Sequence, residues 1–418
     1  MSRSEWEAAC HHGSTCALTG SAAFFDSISG SFTVVNGPLW CYFYAMKYVD
    51  NENPMASMRF SCTQVGPNSL VYGTEDDLRK GLSSIETYAK PERVFVENNC
   101  SVSLVGDDVQ GIADQMDLPW PVYAMDSGGM KGSFEAGYSA ASLRIEKEMK
   151  TKEKIPASVN VLGLSTVHMK GREDAEEIRR LLSLCGIRVI SMPGGGSNWE
   201  DIMDAPSASL NIVVRDELGL SLAKQMERDF GIPYMSCGLP YGTDGTMAWL
   251  SEIIEKLGAG ELTRASHEAA KLKEFLLRKG NNLESLWGPL WFDAVLISAP
   301  PSEALGIAET IRSEWIDTAR LCIHAQCETE KSTPAADAIR VVMKNEKEIA
   351  KDYEDWQGGL VLSSSHETHL LRRMGRSFTG FHIALPSHDE VHFSDLPQCG
   401  LRGAGYLYEQ LWNAKLRK

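Results

Sequence analysis

RVFVENNCSVSLVGDD, residues 93–108, joins an apolar run to a single cysteine and then to a Gly106-Asp107-Asp108 turn. The run has the length and the Val and Phe content of a buried strand, and the turn beyond it opens a helix. FTVVNGP (32–38) and WPVYAMD (120–126) read as strands on the same grounds, with EDDLRKGLSSIETYAK (75–90) as the helix between two of them. Strands that alternate with amphipathic helices build parallel sheets from βαβ units. In such sheets ligands collect outside the carboxyl ends of the strands, which is where Cys100 falls.

The same pattern repeats downstream. SVNVLGLS (158–165), the helix DAEEIRRLLSLCG (174–186), IRVISMPGGGS (187–197), SLNIVVR (209–215), the helix SLAKQMERDF (221–230) and GIPYMSCGLPYG (231–242) form a second block. Glycine after each helix and an Ile or Val run after the glycine mark helix ends and strand starts. TMAWLSEIIEKLG (246–258) and a charged helical stretch, Glu261 to Lys279, lead out of it. A third block holds WFDAVLISAP (291–300), a helix from Pro301 to Ile316, LCIHAQC (321–327), GGLVLSSSHETHLLRRMG (358–375) and FTGFHIALPS (378–387). The expected fold is therefore α/β with three doubly wound domains, each a mostly parallel sheet flanked by helices. Their expected bounds are 1–155, 156–285 and 286–395, followed by a C-terminal helical segment at 396–418.

The bulk composition agrees. A chain of 418 residues exceeds one hydrophobic core, and 43% apolar with 23% charged residues is ordinary for a globular protein. Forty-one basic against 56 acidic residues leave a net charge of −15 without a basic stretch, which argues against nucleic acid as a partner. No run of about 18 apolar residues occurs, and MSRSEWEAAC lacks a basic region followed by an apolar core, so neither a membrane span nor a secretory signal is expected and the chain reads as cytoplasmic. In that reducing compartment the ten cysteines are core residues, ligands or nucleophiles rather than a disulfide framework. Cys-x-x-Cys, His-Glu-x-x-His and the P-loop pattern are all absent from the sequence.

Cys16 in STCALTGSAAFF and Cys41 in VVNGPLWCYFY share the setting of Cys100: each is expected at a strand end or loop beside small or turn-forming residues. Taken singly, each thiol is more often a small core hydrophobe. Three at one sheet edge could instead converge as soft donors to an iron–sulfur cluster.

The order CALTGSAAFF, VVNGPLWC, VYGTEDDLRKGLSSI, VENNCSVSLVGDDVQGI resembles the component 1 proteins of nitrogenase and their relatives, including cofactor-assembly scaffolds and the light-independent protochlorophyllide reductases. GGMKGSFEAGYSAA, the VNVLGL entry to the second block and the GLRGAGYLYEQLWNA ending extend the likeness over most of the chain. The resemblance implies that Cys16, Cys41 and Cys100 bind metal as ligands of an iron–sulfur cluster, either a [4Fe–4S] cluster or one half of a larger [8Fe–7S] type. It implies an oxidoreductase subunit that takes electrons from an ATP-hydrolysing iron protein. A four-iron cluster normally takes four protein ligands, so three cysteines per chain imply a second copy or a homologous subunit at the cluster, as homodimer or heterotetramer. The substrate stays open. So do two alternatives: a non-catalytic scaffold on which a metallocluster is assembled, and an α/β small-molecule binding protein without a cluster.

Two departures qualify the likeness. Asn36 stands where the family pattern has histidine before Gly37-Pro38, with a small expected effect. Arg215 stands where nitrogenase α subunits hold their large cofactor through a cysteine, and a guanidinium cannot ligate iron. With the cysteine spacing and the GLRGAG ending, this makes the chain more β-like than α-like. Cys237, nearby, reads as a core or loop thiol.

Other residues carry weaker signals. Gly194-Gly195-Gly196-Ser197 could offer backbone amides to an anion but reads as a plain turn. His366 reads as a surface or capping residue, and His11-His12 as surface. His382, His388 and His392, with Asp389, Glu390 and Asp395, lack regular metal-site spacing and read as a solvated loop. Trp120 and Trp40 read as packing residues, Trp40 also as a shield for a cluster beside Cys41.

Overall fold

The computed structural model describes residues 15–417 apart from 51, 342–349, 352 and 355; His11-His12 lie outside the described residues. The chain forms three sheets, and every strand pair in them is parallel. It divides into two compact units, the first comprising the described residues up to Lys150 with Ser165–Val167 and Pro193–Asp204, the second the remainder.

In the first unit β1 (Ser31–Asn36), β2 (Phe60–Cys62), β3 (Arg93–Asn98) and β4 (Val122–Asp126) lie in the order β2-β1-β3-β4. Phe32, Val34, Val94 and Val96 face a core completed by Leu78, Leu82, Ile85 and Trp120, so Trp120 is a packing residue as expected. The other face is covered by α1 (Ala17–Asp26), through Phe24, Phe25 and Leu18, all buried. Helix α2 (Leu39–Val49) follows β1, α3 (Cys100–Val105) follows β3, and α4 (Phe134–Glu146) packs on α1. That last contact is backbone on backbone: a Cβ on Gly20 would stand 1.9 Å from the Phe134 carbonyl oxygen, and one on Gly137 1.8 Å from that of Ala17.

The second unit holds two sheets. One has the order β6-β5-β7-β8, from β5 (Ser158–Leu162), β6 (Arg188–Ser191), β7 (Leu210–Val213) and β8 (Tyr234–Ser236). The other has the order β11-β10-β9-β12-β13, from β9 (Trp291–Ala299), β10 (Asp317–Ala325), β11 (Ala338–Val341), β12 (Leu360–Ser363) and β13 (Thr379–His382). Both sheets contribute to one apolar cluster, in which Ile212 and Val161 join Ile297, Ile323 and Leu362. Helices α5 (Gly171–Leu184), α6 (Asp216–Phe230), α7 (Thr243–Leu257), α8 (Thr263–Trp287) and α9 (Pro301–Thr310) form where the sequence predicts helix, though α8 runs eight residues beyond Lys279 and α9, buried on nearly all sides, passes into a π-helical turn at Ile311–Trp315. Helix α10 (Ser365–Arg373) begins at a capping box made by Ser364 and Glu367, and α11 (Gly400–Leu416) closes the chain. β2 and β11 lie outside the expected strands because neither carries an alternating or continuous apolar pattern.

Candidate functional site

Cys16, Cys41 and Cys100 all lie at the carboxyl edge of the first sheet, and each belongs to the first turn of a helix. Cys16 caps α1, Cys41 is the third residue of α2, and Cys100 opens α3. Cys41, expected at a strand end or loop, lies just past the end of β1 but inside the helix, because the fixed φ of Pro38 starts the helix at once. Helix α1 precedes β1 and runs back across the sheet, which is why a residue at its beginning reaches the edge where β1 and β3 end.

The three thiols are partly buried, and Cys16 and Cys41 are both held above the usual thiol pKa. Burial raises the pKa of Cys16, the amides of Leu18 and Thr19 oppose the rise, and the thiols of Cys41 and Cys100 add to it. Burial likewise raises Cys41, against a hydrogen bond that Asn99 Nδ2 donates to its sulfur at 3.6 Å. The loop after β4 leaves room for two of the sulfurs: a Cβ on Gly129 would stand 3.9 Å from Cys16 Sγ and 3.7 Å from Cys100 Sγ, and only 3.2 Å from Cys16 Cβ. A side chain there would fill the space between the two cysteines. As a donor set, three soft thiols at one sheet edge suit a thiophilic metal centre, and metal binding to thiols releases their protons.

Beneath the thiols a row of polar side chains crosses the ends of the strands. Thr63 Oγ1 donates to Asn36 Oδ1 at 3.0 Å, Asn36 Nδ2 to Asn98 Oδ1 at 3.0 Å, and Asn98 Nδ2 to Asp126 Oδ1 at 2.9 Å. Asn36 is fully buried, so its place in the loop pattern is occupied by an amide that both accepts and donates within the sheet. The Thr63 hydroxyl also accepts the Gly37 amide at 3.0 Å, tying the turn before Cys41 to β2.

A fourth thiol, Cys62, went unnoticed in the sequence because nothing local marks it; the pairing of Cys62 with Val35 across β2 and β1 brings it to this edge. Its sulfur donates to the Gly37 carbonyl at 3.2 Å and accepts the Gln64 amide at 3.4 Å. Burial raises its pKa and the neighbouring Cys41 adds to the rise.

Trp40 is not packed into the core of the first unit. It is 68% exposed and, with Leu39, Phe43 and Tyr44, forms an exposed apolar face on α2 beside Cys41. The Trp40 ring meets Phe43 edge-on at 6.0 Å and lies 6.1 Å from Tyr44. The i, i+3 and i+4 spacing of these residues puts them on one side of the helix, opposite Ala45, Met46 and Val49, which face the core.

The remaining candidates separate. Arg215, entirely buried at the start of α6, forms an ion pair with Glu303 (Nη2 to Oε1 2.6 Å, Nε to Oε1 2.8 Å), approaches Asp174 at 4.0 Å and donates to the Gly163 carbonyl at 3.3 Å. The position is filled by a structural cation. Cys237 borders a cleft of about 250 Å³ with Tyr241, Trp249, Glu252 and Glu314, and burial pushes its thiol up to about 12. Gly194 and Gly196 take positive φ in a turn where Gly194 accepts the Thr166 amide at 3.0 Å. The side chain of Ser364, not of His366, caps α10. The three C-terminal histidines do not form a plain solvated loop: His382 is buried, and it gathers Glu390 and His392 around it.

Comparison with known proteins accords with this architecture. The nitrogenase iron-molybdenum cofactor biosynthesis protein NifE of Clostridium pasteurianum is 28% identical over 278 residues, 65% of this chain and 58% of that protein. A subunit of the light-independent protochlorophyllide reductase of Chloroherpeton thalassium is 22% identical over 428 residues, 97% of this chain and 77% of that protein. The chain thus spans little more than half the length of the first relative and about three quarters of the second. Among solved structures, nitrogenase Cp1 at pH 6.5 superposes with a TM-score of 0.77 at 16% identity, over 97% of this chain and 93% of that one, a likeness of fold. No helix among the described residues is long and apolar enough to cross a membrane. Residues 16–415, from the first cysteine of the site to the last helix, match the family described as nitrogenase component 1 type oxidoreductase, and the chain belongs to that family.

Proposed function

We propose that this chain is an oxidoreductase subunit whose Cys16, Cys41 and Cys100 ligate an iron–sulfur cluster at a contact with a second, homologous subunit. The observation that carries the proposal is the meeting of three partly buried thiols at one sheet edge, with the side-chain-free Gly129 against two of them, Cys16 and Cys100. Three donors leave a four-iron cluster one short, and a second chain seated there supplies the rest. The exposed face Leu39, Trp40, Phe43 and Tyr44 supports that seat, because aromatic side chains next to a redox centre exclude water once covered.

When bound, the cluster supplies one-electron transfer, with electrons from a separate ATP-hydrolysing iron protein. The chain's own part is to hold and insulate. The thiols lose their protons on binding, the amides at the start of α1 favour negative charge on Cys16, and the Asn36, Asn98 and Asp126 row keeps the strand ends from shifting under load. Buried Arg215 and its partners argue for a stability role at the position where a large metal cofactor would need a thiolate.

The test is anaerobic purification from a host competent in iron–sulfur assembly, counting iron and sulfide per chain and recording the EPR spectrum after dithionite reduction. Bound iron with a signal that Cys100→Ala abolishes is the expected outcome. A folded, iron-free protein indifferent to the substitution would sink the proposal. Turnover with a reductase partner then separates an enzyme from an assembly scaffold of the same fold.

A further inference from the structure

Outside the thiol site, one other group of ligand-type side chains draws together. His382 ends β13, and the irregular segment 383–399 that follows folds back on it. Glu390 Oε2 lies 4.0 Å from His382 Nδ1 and 3.8 Å from His392 Nε2, and the three donor atoms lie within 4.8 Å of one another. We propose that His382, Glu390 and His392 form a binding site for one divalent zinc-type cation, independent of the cysteine site.

The orientation of each donor supports this. His382 is buried, and its Nε2 faces two acceptors, Asp389 Oδ1 at 3.4 Å and Thr368 Oγ1 at 3.3 Å. The Thr368 hydroxyl already donates to the Ser365 carbonyl at 3.2 Å, so its oxygen can accept. A proton on Nε2 leaves the lone pair on Nδ1, the nitrogen on the side of Glu390. A ring nitrogen that donates to a carboxylate while the other ligates is the usual arrangement around a metal-bound histidine. Glu390 is held in turn by the backbone amide of His382, which donates to Oε2 at 2.9 Å.

Ser387 shows that both imidazoles address one point. Its hydroxyl lies 2.7 Å from His382 Nδ1 and 3.2 Å from His392 Nε2, the space between the donors. Zinc bonds of about 2.0–2.2 Å put tetrahedral donors roughly 3.4 Å apart, so the two carboxylate–imidazole separations of 3.8 and 4.0 Å close by a few tenths of an ångström, while the two imidazoles, within 4.8 Å of each other, draw together as the ion binds. Ser387 then moves aside or serves as fourth donor. Burial keeps both histidines below their usual pKa, in the unprotonated form a metal requires. Of the nearby cations, Arg372 is paired with Asp389, and Lys170 donates to the Ser394 carbonyl. Two imidazoles and a carboxylate, with the fourth place left to a hydroxyl or water, are the donor set of an exchangeable or catalytic zinc rather than a closed structural one.

Chelator-stripped protein is titrated with Zn2+ alone, in competition with a chromophoric chelator. The titration is done for the wild type and for a Cys16→Ser, Cys41→Ser, Cys100→Ser chain in which those thiols cannot contribute. One equivalent should bind to the serine chain, and the wild type should bind that equivalent together with whatever zinc its free thiols take up. His392→Ala and Glu390→Gln, both at partly exposed side chains where folding is retained, should each weaken binding tenfold or more, and Asp389→Asn less. No binding in the serine background, or binding unmoved by His392→Ala and Glu390→Gln, overturns the site.

Discussion

Asn36 Nδ2 donates to Asn98 Oδ1 at 3.0 Å, across the two central strands of the first sheet and directly before the turns that carry Cys41 and Cys100. Both side chains are buried, so neither amide has water to fall back on. The pair therefore couples the stability of the domain to the placement of two thiols.

Asn98→Ala should lower stability by about 1–3 kcal/mol, since it leaves Asn36 Nδ2 and Asp126 without their buried partner. Asn98→Asp is the sharper comparison, because a carboxylate still accepts from Asn36 but faces Asp126 without a proton to donate. Urea unfolding of both variants measures the loss. Iron retained per chain reports whether the thiols have shifted with it.

Among the four thiols of the sheet edge, ligands and bystander should part company. Serine at Cys16, Cys41 or Cys100 is expected to cut cluster iron to a small fraction of wild type. Cys62→Ser should leave it close to unchanged, because that sulfur is engaged with Gly37 and Gln64. Equal loss at Cys62 would make it a fourth ligand from the same chain and remove the need for a second subunit. Iron and sulfide analysis of the four variants decides it.

Glu97, on β3, is fully buried, and neither of its oxygens has a hydrogen-bond partner. The Ser21 hydroxyl, which would relieve it, donates instead to the carbonyls of Ala17 and Leu18. Burial pushes the carboxyl up to about 8 from 4.5. The folded chain thus keeps a proton that the unfolded chain releases above pH 4.5, and stability falls as pH rises from there to about 8 and then levels. At pH 7 the loss is about 3 kcal/mol. Glu97→Gln should be the more stable protein at neutral pH, with the difference vanishing near pH 4. Guanidinium unfolding across pH 4–8 would show a parallel dependence in both proteins if Glu97 were not the titrating group.

Arg215→Met should destabilise by about 3–5 kcal/mol, for it strands the Glu303 and Asp174 carboxyls in a dry interior. Adding Glu303→Leu should recover much of that loss, since two apolar side chains then fill the space. Thermal unfolding of the single and double variants gives the coupling. Cluster content should stay at the wild-type level throughout, because this group sits in the second unit and the three thiols in the first.

The pattern of apolar runs and amphipathic helices determined the α/β class, most of the strands and the chain order of the three candidate thiols. These are local properties: a strand of five or six buried residues and a helix of three turns each write their period into consecutive residues. Trp120 was read correctly because a large ring between two prolines has little to do but pack. What only the tertiary structure decided depends on residues far apart in sequence. Asn36 and Asn98 are 62 positions apart, and their bond exists because β1 and β3 are neighbours in register. Cys62 reached the site by strand pairing, and Trp40 proved exposed because the core lies on the other side of α2. The histidines of segment 382–392 carry no spacing that betrays a metal, since a folded loop, unlike a helix, brings donors together without a period. Period is visible one residue at a time; convergence is a property of the chain after it has closed on itself.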